Sequence, residues 1–243
     1  MATRLPARSQ SPIDETQILP RKGMLYQLQG PGRAGAKMRN FAEAWVAMTL
    51  LNGDYVHWID GACRFDPARI IQTFPENLPN AEQLLHGLFI GRGFTVHQFS
   101  HLITRLQTEI KISKAKLIII DGPVTMHLDS QIGNYEARSL FRKSMDTLMR
   151  IANENKVAVV VITSSKAHSK RHKNLLTMVR NRCQLSLLGK LRKIRGQEKM
   201  WLFHLPTNTS GYHEKIAEHE TLYRSISRVI RSRLRIESVE EIE

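Results

Sequence analysis

The stretch Met24-Leu25-Tyr26-Gln27-Leu28-Gln29-Gly30-Pro31-Gly32-Arg33-Ala34-Gly35-Ala36-Lys37 decides how the rest of the chain is read. Its first six residues alternate weakly between apolar and polar, as a strand does, and run into a loop carrying three glycines. Directly after it, Phe41, Trp45, Met48 and Leu51 recur at helical spacing. Residues 38–51 are therefore expected to form a helix, which Asn52-Gly53-Asp54 ends. Strand, glycine loop and helix together are the opening unit of an α/β sheet.

Working outward, residues 55–60 read as a short strand, and Pro67 suits the first turn of a helix that stops before Pro75. A strand at 88–90 and an amphipathic helix at 96–110 follow. Lys116-Leu117-Ile118-Ile119-Ile120-Asp121 is a strand of the fully buried type that ends on an acid. A long helix is expected over 135–155, an apolar strand over 157–162, and a closing hairpin from 185–188 and 200–205. Strands that alternate with helices and are apolar on both faces predict an α/β fold with a mostly parallel central sheet flanked by helices. The expected organisation is a flexible arm over residues 1–20, which carries Pro6, Pro12 and Pro20, a core over 21–210, and a helical extension over 211–243.

Composition narrows the function. The 243 residues are 42% hydrophobic, enough for a sizeable core. Lys and Arg number 36 against 22 Asp and Glu, a net charge of +14, which points to a polyanionic partner, nucleic acid before a membrane surface. No run approaches the ~18 apolar residues of a membrane span. The first residues lack the apolar core of a signal peptide. Cys63 and Cys183 cannot build a disulfide framework and have no metal-ligand neighbours, so both are expected as buried, reduced thiols of a cytoplasmic protein.

A glycine loop between strand and helix is the context of a phosphate-binding P-loop. Backbone N–H groups cradle the phosphates, a lysine reaches the β/γ-phosphates and a Ser/Thr hydroxyl holds magnesium. Counting from Gly30, the second glycine is Gly35, but the lysine slot holds Ala36 and the hydroxyl slot Lys37. In a loop one residue longer, Lys37 serves as the lysine and Met38 takes the magnesium slot. Neither register is complete.

The order of the pieces resembles the core of the RecA/RadA recombinases, over roughly residues 18–206. Leu117-Ile118-Ile119-Ile120-Asp121 is similar to a Walker B strand, whose acid polarises magnesium-bound water. Ile59-Asp60-Gly61-Ala62-Cys63-Arg64-Phe65-Asp66-Pro67-Ala68-Arg69-Ile70 resembles that family's I-D-T-E-G-x-F-x-P-x-R-I stretch. Thr95-Val96-His97-Gln98 before a helix, Ile132-Gly133 and Leu205-Pro206 also match in order. The resemblance implies a RecA-like fold, DNA binding and assembly with like subunits. It places the family's catalytic glutamate on Ala62, whose methyl cannot activate water. With the lysine and hydroxyl also lost, a degenerate P-loop of Gly30, Gly35, Lys37 and Asp121 is expected, with weak or absent ATP binding, no cofactor and no ATPase activity. The resemblance also implies an N-terminal region that drives filament assembly, for which about twenty residues before the core leave little length.

Charge is concentrated in one segment. Residues 155–197 contain no acid and eleven cations: Lys156, Lys166, Lys170, Arg171, Lys173, Arg180, Arg182, Lys190, Arg192, Lys193 and Arg195. The densest part, residues 164–174, follows an apolar strand and is expected to be a loop on the ligand face of the sheet, at the place of the family's second DNA-binding loop. The expected DNA-binding residues are Lys166, Lys170, Arg171, Lys173, Arg180 and Arg182, contacting phosphates. No aromatic in this loop offers base stacking, so no single-strand preference follows. His97 and His101 lie four apart but lack the acid of a zinc-protease motif, and read as packing or surface residues. Phe41-Ala42-Glu43-Ala44 resembles an oligomerisation motif, with core packing the simpler reading. Arg224, Arg228, Arg231 and Arg235 share a face near the C-terminus, ahead of the acids Glu237, Glu240, Glu241 and Glu243.

The expectation is a non-hydrolysing RecA-like DNA-binding protein, a recombinase paralog or accessory factor in homologous recombination and DNA repair. Its expected partners are DNA and a second copy or a related recombinase-family subunit, with no membrane. One alternative is a DNA-dependent ATPase subunit completed by a partner, which Ala36 and Ala62 speak against. Another is a P-loop-derived adaptor without a DNA role, which the acid-free segment speaks against.

Overall fold

The computed structural model describes residues 18–75, 78–194 and 196–213. Eight strands form one sheet: β1 (Leu25–Gly30), β2 (Val56–Asp60), β3 (Leu88–Arg92), β4 (Leu117–Asp121), β5 (Ala158–Ser164), β6 (Leu185–Ile194), β7 (Gln197–Leu205) and β8 (Thr209–His213). Their order is β3-β2-β4-β5-β1-β6-β7-β8. The first six run parallel, and β6, β7 and β8 pair antiparallel. This is the expected α/β architecture, with β8 added beyond the expected hairpin.

The helices are α1 (Arg39–Leu51), α2 (Pro67–Ile71), α3 (Ala81–Leu84), α4 (Val96–Ser113), α5 (Pro123–Met126), α6 (Asn134–Asn155) and α7 (Lys170–Arg180). Alternation along the buried strands divides the core in two. Ile119, Val160 and Ile162 join Phe41, Trp45, Val46 and Leu50 of α1 on one face. Ile118, Ile120, Val159 and Val161 meet Phe99 and Ile103 of α4, Phe141 and Leu148 of α6, and Leu175 of α7 on the other. A parallel sheet buried on both faces needs this two-sided cover. Within Phe41-Ala42-Glu43-Ala44 all four residues are buried, and Phe41 and Ala42 pack in the first core.

Two expectations need correction. The dense basic stretch is only briefly a loop, because α7 begins at Lys170 with Ser169 capping the N–H of His172. Its apolar stripe includes the buried His172 beside Leu175, Leu176 and Val179, which hides the helical period from a reading of hydropathy. Cys63 is exposed rather than buried, on a left-handed turn (φ 52°) of the loop after β2. Cys183 is half-buried, and burial pushes its thiol up to about 12. Most of the expected arm and C-terminal extension, including Arg224 to Arg235 and Glu237 to Glu243, lies outside the described residues. Among the described residues no helix is long and apolar enough to cross a membrane.

Candidate functional site

The sheet order places the carboxyl ends of β2, β4, β5 and β1 side by side. Asp60 and Asp121 are register partners, as are Gly30 and Ser164. The glycine loop leaves β1 and winds through tight turns over Arg33–Met38, kinked at the left-handed Ala34 and Gly35, before α1. Gly35 takes φ 77°, and a Cβ there would stand 2.3 Å from the Thr163 carbonyl oxygen, so the loop's close approach to β5 requires glycine. Two of its amides turn inward: Gly35 N–H donates to the Gly32 carbonyl and Lys37 N–H to that of Pro31, each at 3.1 Å. Ala36 and Lys37 are exposed. Met38 is buried, its side chain lying against the Cα positions of Gly30 and Gly189.

Asp121 ends β4 with no exposed surface. Its carboxylate is gripped by the forked guanidinium of Arg64, Nη2 to Oδ1 at 2.6 Å and Nε to Oδ2 at 3.1 Å. The same guanidinium reaches the glycine loop, donating from Nη1 to the Arg33 carbonyl at 2.7 Å and from Nη2 to that of Ala34 at 3.1 Å. Arg39, buried at the start of α1, stands 3.6 Å from Asp121 and 3.2 Å from Glu43. Glu43 takes a second, bidentate arginine, Arg69, at 2.8 and 3.0 Å. Burial pushes the Asp121 carboxyl above its usual range, and the guanidinium groups of Arg64 and Arg39 oppose that shift.

Asp60 explains why Arg64 points where it does. Its buried carboxylate accepts from the backbone N–H groups of Ala62, Arg64 and Phe65 and from Arg92 Nε, at 2.8–3.1 Å. The loop after β2 is thereby wrapped around one acid, with Ala62 against Gly122 and Arg64 aimed at Asp121. Neither Asp60 nor Arg64 stood out in the sequence. The available signal was an arginine and a strand-end acid inside a stretch already singled out.

The basic segment is built differently. His172 bolts the start of α7 to the end of β5: its Nδ1 accepts from His168 N–H at 3.3 Å, and its Nε2 lies 2.9 Å from Ser164 Oγ. With Nδ1 accepting, the ring is neutral with its proton on Nε2, and burial lowers its pKa accordingly. Lys166, Lys170, Lys173 and Arg180 are exposed. Arg171 is not: its Nη1 donates to the Ile132 carbonyl at 3.0 Å, and its Nε and Nη2 are buried without a partner. Arg182 is tied to Asp146 at 2.7 Å. Of the six expected DNA contacts, four are exposed and two are engaged within the chain.

His97 and His101 are exposed on α4, His97 lying 3.5 Å from Glu136. Among the described residues no group of three His, Cys, Asp or Glu side chains could hold a metal ion.

Comparison with known proteins agrees with the fold. The sequence model of the Rad51 family matches residues 47–180, over half of the chain. No curated protein matches it in sequence. The chain is similar in structure to the RadB recombinase, seen in a crystal structure, with a TM-score of 0.60 at 19% identity over 79% of this chain and 87% of that one. At that identity the likeness is one of fold.

Proposed function

The chain belongs to the Rad51 family, and from that premise we propose that it is a DNA-binding protein of homologous recombination and repair that does not turn over ATP. It acts as a recombinase paralog or accessory subunit, assembling with copies of itself or with a related family member on DNA. The observation that carries the DNA role is the exposed set Lys166, Lys170, Lys173 and Arg180, at the carboxyl end of β5 and along α7, in a segment without a single acid. Lys170 and Lys173 at the start of α7 oppose the helix dipole, at about 0.3–1 kcal/mol each. An anion across that surface reverses the sign, and a phosphate backbone supplies one every few ångströms.

The silence of the nucleotide pocket rests on its side chains, which do not fit a magnesium–nucleotide group. The lysine slot holds an exposed alanine. The hydroxyl slot holds an exposed lysine or, in the longer register, a buried methionine. The resemblance puts Ala62 where general-base assistance would come from. Phosphoryl transfer is chiefly positioning and charge stabilisation, so the loss of these groups removes the means of turnover.

The test joins two measurements on the full chain. Fluorescence anisotropy with single- and double-stranded oligonucleotides should show binding that weakens steeply with salt. Phosphate release from magnesium-ATP should stay at background with and without DNA. DNA-stimulated release that disappears in Asp121→Ala would overturn the reading and favour an ATPase.

A further inference from the structure

We infer that Arg64 is a built-in cation that holds the glycine loop shut, so that nucleotide is kept out by occupancy as well as by missing groups. The inference rests on the reading that this pocket does not turn over ATP, and it adds how the pocket is kept closed. Three elements converge on one side chain. The loop after β2 presents it, the acid ending β4 takes its Nε and Nη2, and the carbonyls of Arg33 and Ala34 in the loop after β1 take Nη1 and Nη2. A P-loop that holds nucleotide turns its N–H groups toward the phosphates. Here a positive group lies against loop carbonyls, and two loop amides are turned onto carbonyls of the same loop.

The charges agree with that role. Asp121 is fully buried, and an isolated carboxylate in such a place is too costly to keep ionised. A bidentate guanidinium supplies both the counter-charge and the hydrogen bonds that a buried acid needs. Arg64 therefore does for Asp121 what a divalent ion would do beside a nucleotide, with a planar group that also reaches the loop. Its backbone is fixed by Asp60, which accepts the Arg64 N–H itself at 2.9 Å. A cation tied in this way does not diffuse out.

The experiment separates occupancy from missing groups. One variant, Ala36→Lys/Lys37→Thr, restores the lysine and the hydroxyl with Arg64 in place. A second adds Arg64→Ala. Both are titrated with N-methylanthraniloyl-ATP and magnesium, after circular dichroism has verified folding. The second should bind more tightly by about tenfold or more, the worth of a charge-assisted hydrogen bond. Equal affinity in the two, whether both bind or neither does, overturns the role of Arg64 and leaves the reading of a silent pocket intact. Turnover of magnesium-ATP by the unaltered chain overturns that reading, and the role of Arg64 with it. Because Arg64→Ala strands a buried carboxylate, a further variant, Arg64→Ala/Asp121→Asn, removes cation and charge together. Its amides over residues 33–38 should exchange hydrogen faster by about tenfold or more. Unchanged exchange in that folded variant also overturns the inference.

Discussion

Around the carboxyl ends of β2 and β4, Arg39 of α1, Arg64 of the loop after β2, Arg69 of α2 and Arg92 at the end of β3 each meet an acid of the same chain. Past the end of β5, Lys166, Lys170 and Lys173 stand exposed, with no ion pair among the described residues. The cations paired inward onto an acid are all arginine, two of them partly exposed, and these three outward ones are all lysine. A planar guanidinium forks onto a carboxylate and tolerates burial, whereas an ammonium is compact, strongly hydrated and best kept in water. Net charge alone does not separate these regions. What separates these two sets of side chains is whether the chain supplies the partner.

The sharpest way to break that contrast is to remove the three outward lysines together with the exposed Arg180 at the far end of α7. Lys166→Ala/Lys170→Ala/Lys173→Ala/Arg180→Ala should weaken DNA binding by about a hundredfold or more at low salt and flatten the log–log salt slope by roughly 3 to 4 units. The loss should be nearly uniform across sequences, since phosphate contacts carry no base information. Anisotropy titrations over a salt series measure both quantities. A folded variant with the parent's affinity and slope would put the DNA surface elsewhere, first of all on the Arg224 to Arg235 face.

The frame of this contrast was legible in the sequence, and its decisive contacts were not. Leu117 to Asp121 and the strand ending near Ile162 announce themselves by unbroken apolar runs, and α4 and α6 by their period. These give the parallel sheet and put Asp121 and the basic segment at its carboxyl edge. β8 escaped because Thr209-Ser210-Gly211-Tyr212-His213 carries little apolar signal, and α7 because a buried histidine fills one position of its stripe. Arg64 and Asp121 are 57 residues apart. Their pairing depends on β2 lying beside β4, which strand order decides and local pattern does not. In the same way, Arg171 reads like its neighbours in sequence but bonds a carbonyl 39 residues away.

His127 lies where the two regions meet, just past α5, and sharpens the contrast through pH. It is fully buried between the rings of Phe99 and Phe141, with Nδ1 2.8 Å from the Pro123 carbonyl. Burial lowers its pKa from 6.5 to about 4; the Pro123 hydrogen bond opposes that shift, and the Arg171 charge adds to it. The unfolded chain therefore takes up this proton first as pH falls. Stability associated with His127 is present in full above about 6.5 and is lost as pH drops toward 4. Between pH 7 and pH 5 the loss should be about 2 kcal/mol. Urea denaturation at the two values should show a difference smaller by that amount in His127→Gln, which keeps a donor for Pro123 but does not titrate. Burial also lowers His57, His172 and His204, so some slope remains. An unchanged slope in the variant would mean that this ring already carries its proton at pH 5.

Arg171 gives the smallest effect and the closest test, because it lies among the outward lysines and behaves like the inward arginines. Its Nη1 hydrogen bond holds the carbonyl of Ile132 ahead of α6, and two of its other nitrogens are buried without partners. Arg171→Ala loses a charge-assisted bond worth about 1.5–3 kcal/mol but also removes unsatisfied donors whose burial costs about 1–3. The two nearly offset, and a net destabilisation of about 1 kcal/mol should remain, since Ile132 loses its partner as well. DNA affinity should stay within about twofold and the salt slope should not move, because a guanidinium held by the chain's own carbonyl releases no counterion from a phosphate. Urea denaturation and anisotropy on the same preparation separate the outcomes. A slope reduced by about one unit with stability unchanged would mean that Arg171 leaves Ile132 for the DNA. The boundary between the two regions would then move by one residue, and Arg171 would join the outward set.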